Sequence, residues 1–163
     1  MTANILQGIY DSAVGTAIRQ GTLLFPTIET IHVLMVTTVV GTILIVDLRL
    51  LGIASHRKGA RQLIVELLPF TWAAFGIAAV TGALLFTSNA VGYAANTPFL
   101  AKMGLMVVAG INMAVFHLGA YRRIDQWSDS LPPPGSVRFA GATSLALWIV
   151  IVFLARWIGF TVA

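Results

Sequence analysis

Cysteine is absent from the 163 residues. That excludes disulfide staples, thiolate metal sites and cysteine nucleophiles. Charge is scarce as well: charged residues make up 10% of the chain, where a soluble domain carries about 25%. Acidic residues are the scarcer sign, with six Asp and Glu against ten Lys and Arg. What fills the chain instead is apolar, 58% of it, with a mean hydropathy of +0.88. Water does not solvate a monomer of that composition. A bilayer does, provided the backbone closes its own hydrogen bonds inside helices. The expected class is therefore all-α, an integral membrane four-helix bundle in one domain, with the lipid bilayer as its first partner.

Each crossing needs roughly 20 mostly apolar residues, and four such runs consume nearly the whole chain. The pattern predicts spans over 26–51, 63–87, 98–121 and 137–160. Pro26 and Pro98 suit helix starts, where a missing N–H costs nothing. Pro69 falls inside the second span, where a kink is expected. Upstream, Thr2 to Arg19 have neither a basic n-region nor a long apolar run, so no secretory signal is read there. Ile5, Leu6, Ile9, Val14 and Ile18 recur near helical spacing and predict a short amphipathic helix over 3–19, lying at the interface. The loop SNAVGYAANTP carries no charge and offers Tyr93 as an interfacial anchor. The loop IDQWSDSLPPPGS contains three consecutive prolines and should run extended there.

The basic residues fall on one side. Arg49, Arg57, Lys58, Arg61, Arg122, Arg123 and Arg138 flank or occupy the loops after the first and third spans, while the other side has only Arg19 near a membrane end, besides the charges inside the spans. The positive-inside rule then predicts a bacterial inner membrane protein with both basic loops cytoplasmic and both termini periplasmic. A pI of 10.1 would suggest nucleic acid for a soluble chain. Here the basic residues are topology signals beside apolar spans, and nucleic acid is not an expected partner.

A charge within the bilayer costs about 2.5–3.5 kcal/mol on insertion scales, so the ionisable residues inside spans are the functional candidates. At the outer end, Glu29 and His32 lie in the first two turns of span one and share a face. Lys102 opens span three at similar depth, and Arg156 lies near the outer end of span four. One reading makes these structural: Lys102 and Arg156 snorkel to lipid phosphates, Glu29 pairs with one of them, and His32 hydrogen-bonds inside the bundle. The sharper reading is a site for a flat, apolar, anionic ligand such as haem b, with His32 as axial ligand and Lys102 and Arg156 holding the propionates. Lys102 is also a candidate second ligand. A third reading is copper. His32 and Met35 are one turn apart, as are Met103 and Met106 at matching depth, and an imidazole with thioethers suits Cu(I). Methionine is equally an ordinary filler of apolar cores.

The inner layer holds Asp47, Arg49, Glu66, His117, Arg122 and Arg123. Asp47 and Glu66 are expected to pair with arginines of span three in an ion-pair belt. His117, one turn after Met113, is a candidate ligand for a second haem. His32 and His117 differ in depth by roughly 20 Å at about 1.5 Å per residue, so they cannot ligate one iron between them. His56 lies in the basic loop and is expected to be solvated. Asn112 should hydrogen-bond to a neighbouring helix. Gly76, Gly82, Gly104, Gly110 and Gly119 are expected at close helix approaches.

The strings IETIHVLMVTTVVGTILIVDLRLLG, PFLAKMGLMVVAGINMAVFH and SLALWIVIVFLARWIGF resemble a family of small bacterial membrane proteins of unknown function. The resemblance runs from Leu24 to Phe160, with DLRLLG its most specific part, and it implies a four-helix membrane bundle. A more distant similarity is to the short membrane-bound protoporphyrinogen oxidases and the copper-resistance D-type proteins. Those have a histidine early in the first helix and, in the oxidases, a lysine opening a later helix that ends near a histidine. His32, Lys102 and His117 stand at matching places, which implies a tetrapyrrole or haem site at His32 and Lys102. The chain reads VDLRLLG where the oxidases have a proline–arginine motif. Three functions follow as expectations. The first is a b-type haem protein that passes electrons to a membrane redox partner or handles a tetrapyrrole. The second is a copper-handling protein, and the third is an accessory subunit of a larger membrane complex.

Overall fold

The computed structural model describes residues 2–54 and 57–162, so His56 lies outside the described residues. Those residues form helices joined by short turns, with no strand among them. Four helices are long and apolar enough to cross a membrane: α3 (Leu24–Leu50), α4 (Ala60–Ser88), α6 (Thr97–Leu118) and α8 (Gly135–Thr161). In their most apolar windows only 11, 22, 6 and 17% of residues are buried, so the apolar surface faces outward as a lipid solvent requires. The chain is a membrane protein. The observed bounds agree with the predicted spans to within three residues, and α4 runs unbroken through Pro69.

The ends of the long helices follow from local chemistry. Asn96 caps α6, its side chain accepting the Phe99 N–H at 3.0 Å, with Pro98 in the first turn. At the far end of α3, Gly52 sits at φ 74°. Its N–H reaches the Arg49 carbonyl at 3.0 Å, and the Ile53 N–H reaches Leu48 at 3.0 Å. This is the paired closure of a Schellman motif, which needs a left-handed residue after the cap. A Cβ on Gly52 would also meet the Pro133 ring at 2.9 Å.

The N-terminal segment differs from expectation. It is not one helix but two, α1 (Thr2–Tyr10) and α2 (Ala13–Gln20). Ser12 breaks it, its hydroxyl capping α2 by accepting the Gly15 N–H at 3.1 Å. Neither helix merely lies on the surface. Ile18 and Gly15 are buried as α2 packs on α4, and α1 packs on α5 (Ala90–Ala95), a helical turn within the uncharged loop. Tyr93 on α5 is stacked on Phe86 and tilted against Phe99, which makes it part of a ring cluster as well as a candidate anchor.

Around the bundle α3 packs most extensively on α4, α6 on α8, and α3 joins α8, while α4 and α6 share no comparable interface. The spatial order is therefore α4, α3, α8, α6, with the fourth side loosely packed, Phe86 of α4 stacking on Phe99 of α6 across it. Apolar burial gives helices little drive to associate in lipid, so packing and interhelical hydrogen bonds must hold the joints, at about 0.6–2 kcal/mol each. Thr71 donates to Thr42 across α3 and α4 at 2.8 Å. Asn112 donates to the Ala140 carbonyl across α6 and α8 at 3.1 Å, as its buried amide predicted. Asn96 reaches Thr161 at 2.9 Å at the other end of the same pair.

The basic end is closed by a small core of Leu50, Ala60, Ile64, Phe116, Ile124, Trp127 and Val137. The stretch after α6 is thus not a free loop. A 3-10 turn (Ala120–Arg123) and α7 (Ile124–Trp127) fold it back, with the Trp127 indole donating to the Ala120 carbonyl at 2.9 Å. The triple proline beyond it is non-helical, as expected. Arg49 clamps this cap. It is 1% exposed, and its guanidinium donates to the carbonyls of Lys58 (3.0 Å) and Ser128 (2.7 Å).

Candidate functional site

His32 projects from α3 onto α4. Its Nδ1 lies 3.0 Å from the Ala78 carbonyl and 3.0 Å from the Thr81 hydroxyl. A carbonyl only accepts, so Nδ1 carries the proton and Nε2 keeps the lone pair of the neutral ring. The ring rests against Gly82, where a Cβ would approach Cε1 to 3.0 Å. His32 therefore works as a clip between two helices, the structural role of the alternatives above, while Nε2 is left with ligand chemistry available.

The other outer candidates share its level but turn elsewhere. Lys102 sits half-buried with its ammonium over the Phe99 ring of its own helix, 5.2 Å from the centroid. Arg156 is exposed, over Phe160 of its own helix at 4.9 Å. Glu29 is exposed. Lys102 and Glu29 remain within electrostatic reach of His32, but among the described residues no hydrogen bond or ion pair joins any two of the four. Of the copper candidates, Met35 is half-buried on α3, Met103 is 44% exposed on α6, and Met106 alone lines a cavity. Among the described residues no three His, Asp or Glu side chains group as a metal site would.

The cavity lies in the other half of the bundle, toward the basic end, with a volume of about 370 Å³. All four long helices contribute to its wall, and it sits where α4 and α6 stand apart. Four aromatic side chains line it: Trp72 and Phe75 from α4, Phe116 from α6 and Trp148 from α8. The polar wall is small and specific: Asp47, Thr71, Asn112, His117 and Ser144. His117 donates Nδ1–H to the Met113 carbonyl at 2.9 Å, again leaving the Nε2 lone pair, and its ring tilts against Tyr121.

Two inner-layer expectations are corrected. Among the described residues Asp47 makes no ion pair. It is 4% exposed, has Ser144 as its polar neighbour, and one carboxylate oxygen, Oδ2, has no partner among the described residues. The arginines after span three stand too far toward water to reach it, because α6 ends at Leu118 and the chain turns outward before Arg122. Glu66 pairs with Lys58 of the basic loop, and the second ion pair is Arg61 with Asp125 at 2.7 Å. Both pairs are exposed, so they contribute little stability. Three of the five glycines expected at helix contacts, Gly76, Gly104 and Gly110, have open space where a side chain would stand. The close approach between α3 and α8 is instead at Gly141, whose Cβ would meet Leu50 and the Asp47 carbonyl.

Reading from sequence missed the cavity as a unit. Thr71, Trp72, Ser144 and Trp148 carry no motif, and only the helix order turns them toward Asp47 and His117.

Fold and cavity together define a four-helix membrane protein with a binding-sized chamber within the span. The chain belongs to a family of unknown function (DUF6644), which matches residues 12–161. No curated protein and no solved structure matches it.

Proposed function

We propose that this protein binds a lipid-soluble ligand within the bilayer, taking it up laterally between α4 and α6 into the chamber lined by Asp47, His117 and the four aromatic rings. The observation that carries the reading is the chamber's construction: all four spans wall it, an aromatic lining surrounds a few fixed polar groups, and its fourth side, between α4 and α6, is the most loosely packed, the two helices meeting through Phe86 and Phe99 at one end and around Phe116 at the other. Small-molecule sites have this make-up, mostly apolar with a few placed polar atoms, and they form between the helices of bundles. The grouping of Arg49, Lys58, Arg61, Arg122, Arg123 and Arg138 at one end supports a bacterial inner membrane with that end cytoplasmic and both termini periplasmic.

A neutral lipophilic dye, N-phenyl-naphthylamine, tests the reading in nanodiscs, because Trp72 and Trp148 report on the chamber by fluorescence. Saturable quenching is expected. Gly110→Phe, placed at a lining glycine with open space beside it, should fill the chamber and lower dye affinity about tenfold. Unsaturable quenching, identical in the variant, would overturn the reading.

A second reading, haem b in the same chamber, rests on His117. Its Nδ1–H is held by a backbone carbonyl, the outer partner that orients an axial histidine, and Nε2 is left to ligate. Arg122 and Arg123 line a neighbouring groove at the basic end and would hold the propionates. An electron-transfer role, with a membrane redox partner or within a larger complex, follows only from this reading. Purified from haem-sufficient cells, such a protein shows a Soret band that His117→Ala abolishes and His32→Ala retains. If His32→Ala alone removes the band, the haem lies at the outer site expected from sequence.

A further inference from the structure

Asp47 is the one residue of the chamber wall with a carboxylate, and no lysine or arginine lines the chamber beside it. Its side chain is buried, with one oxygen unpartnered among the described residues. Burying a carboxylate without a compensating partner is among the costlier arrangements a fold can hold. A partner must offer a positive charge or a strong donor, and none among the described residues does so: Arg49, two residues on, gives its Nε and Nη2 to the carbonyls of Lys58 and Ser128, and its Nη1 makes no bond to Asp47.

We infer that the ligand is an organic cation, a lipophilic amine or onium, whose charge is held by Asp47 and whose apolar body lies among the aromatic rings. The inference rests on the chamber being a ligand site, as proposed above. Three features of the wall agree. The carboxylate supplies the counter-charge. Trp72, Phe75, Phe116 and Trp148 line the chamber, and the face of an aromatic ring attracts cations through its quadrupole most strongly where water is excluded. Ser144, beside Asp47, and Asn112, tied to Ala140, fix the polar wall so that the ligand finds it preorganised. The same wall disfavours an anion, which would meet Asp47 with no cation nearby. A cation leaving water for this site keeps a counter-ion, and lateral entry from lipid suits a molecule with both a charge and an apolar body.

Two probes on the full chain in nanodiscs separate this inference from the reading beneath it: tetraphenylphosphonium as the cation and N-phenyl-naphthylamine as the neutral dye. Wild type is expected to bind both saturably. Asp47→Asn, nearly isosteric, should weaken tetraphenylphosphonium by at least about tenfold while leaving the neutral dye within about twofold. Asp47→Glu, which keeps the charge, should recover part of the cation affinity. Equal cation binding in wild type and Asp47→Asn, or dye binding with no cation binding, overturns the cation inference and leaves the chamber standing. Loss of both ligands in Asp47→Asn, with an unchanged melting temperature, overturns it too, since Asp47 would then shape the chamber without selecting charge. Neither probe binding wild type removes the ligand site itself.

Discussion

Replacing Arg49 by alanine is expected to cost about 3–5 kcal/mol, the largest loss of any single substitution outside the apolar core. The guanidinium is 1% exposed and holds two segments far apart in sequence, the Lys58 carbonyl before α4 and the Ser128 carbonyl after α7. Hydrogen bonds to charged groups contribute about 1.5–3 kcal/mol each. Truncation also takes this donor from the Lys58 carbonyl and leaves the Ser128 carbonyl with the Ala60 N–H alone. Ser128 is a junction in its own right: its carbonyl also accepts the Ala60 N–H at 2.9 Å, and its hydroxyl accepts the Arg61 N–H at 3.0 Å. Losing Arg49 therefore loosens the start of α4 and the return to α8 together. Total stabilities of domains run to about 5–15 kcal/mol, so Arg49→Ala should lower the melting temperature in detergent by many degrees and expose the 119–134 segment to protease. Arg49→Lys should rescue little, because one ammonium on a flexible stem does not span two carbonyls as a planar fork does. Asp47→Asn, two residues away and outside the clamp, should melt near wild type. An Arg49→Ala protein that melts within a degree or two of wild type would show that the cap is held by its apolar core alone.

Much of this architecture was legible in the sequence because its signals are strong and local. Four apolar runs set the spans, and Pro98 marks a helix start by chemistry that needs no tertiary context, whereas the cap at Asn96 and the turn at Gly52 come only from the structure. Asn112 was assigned to an interhelical bond because a buried amide in lipid must find one. The errors share a different cause. Asp47 was matched to arginines by depth, yet depth along a helix does not say which way a side chain faces, and the arginines lie past the end of α6. Glycines were assigned to contacts by residue type, whereas only Gly82 of the five meets another helix; Gly141, in a run of small residues with no motif, was not picked out. Depth along the spans groups Glu29, His32, Lys102 and Arg156 in one outer layer but does not give their directions: His32 turns to α4, and Lys102 and Arg156 lie over rings of their own helices. The DLRLLG string gains a physical meaning only in three dimensions. Asp47 walls the chamber, Arg49 clamps the cap, Leu50 enters the small core and Gly52 turns the chain.

Gly141 is where the two halves of the bundle meet, and a bulky residue there should separate them. The α3–α4 pair and the α6–α8 pair touch mainly through α3 and α8. At the crossing, a Cβ on residue 141 would lie 3.0 Å from the Leu50 Cβ and 3.2 Å from the Asp47 carbonyl. Gly141→Ala asks those neighbours to give by a few tenths of an ångström and should be mild. Gly141→Leu asks the α3 backbone to move at the very residue that walls the chamber. Overpacking of a tight core costs about 1–3 kcal/mol and occasionally more, and the upper part of that range applies where backbone must shift. The graded pair should show a small fall in melting temperature for alanine and a large one for leucine, with both probe ligands lost in the leucine variant as Asp47 moves away from Ser144. Gly104→Leu, on a face with no neighbour within 4 Å, serves as the comparison and should change neither quantity. If Gly141→Leu melts and binds like wild type, the halves are not held by this crossing, and the chamber's width is set by the cap at Arg49 instead.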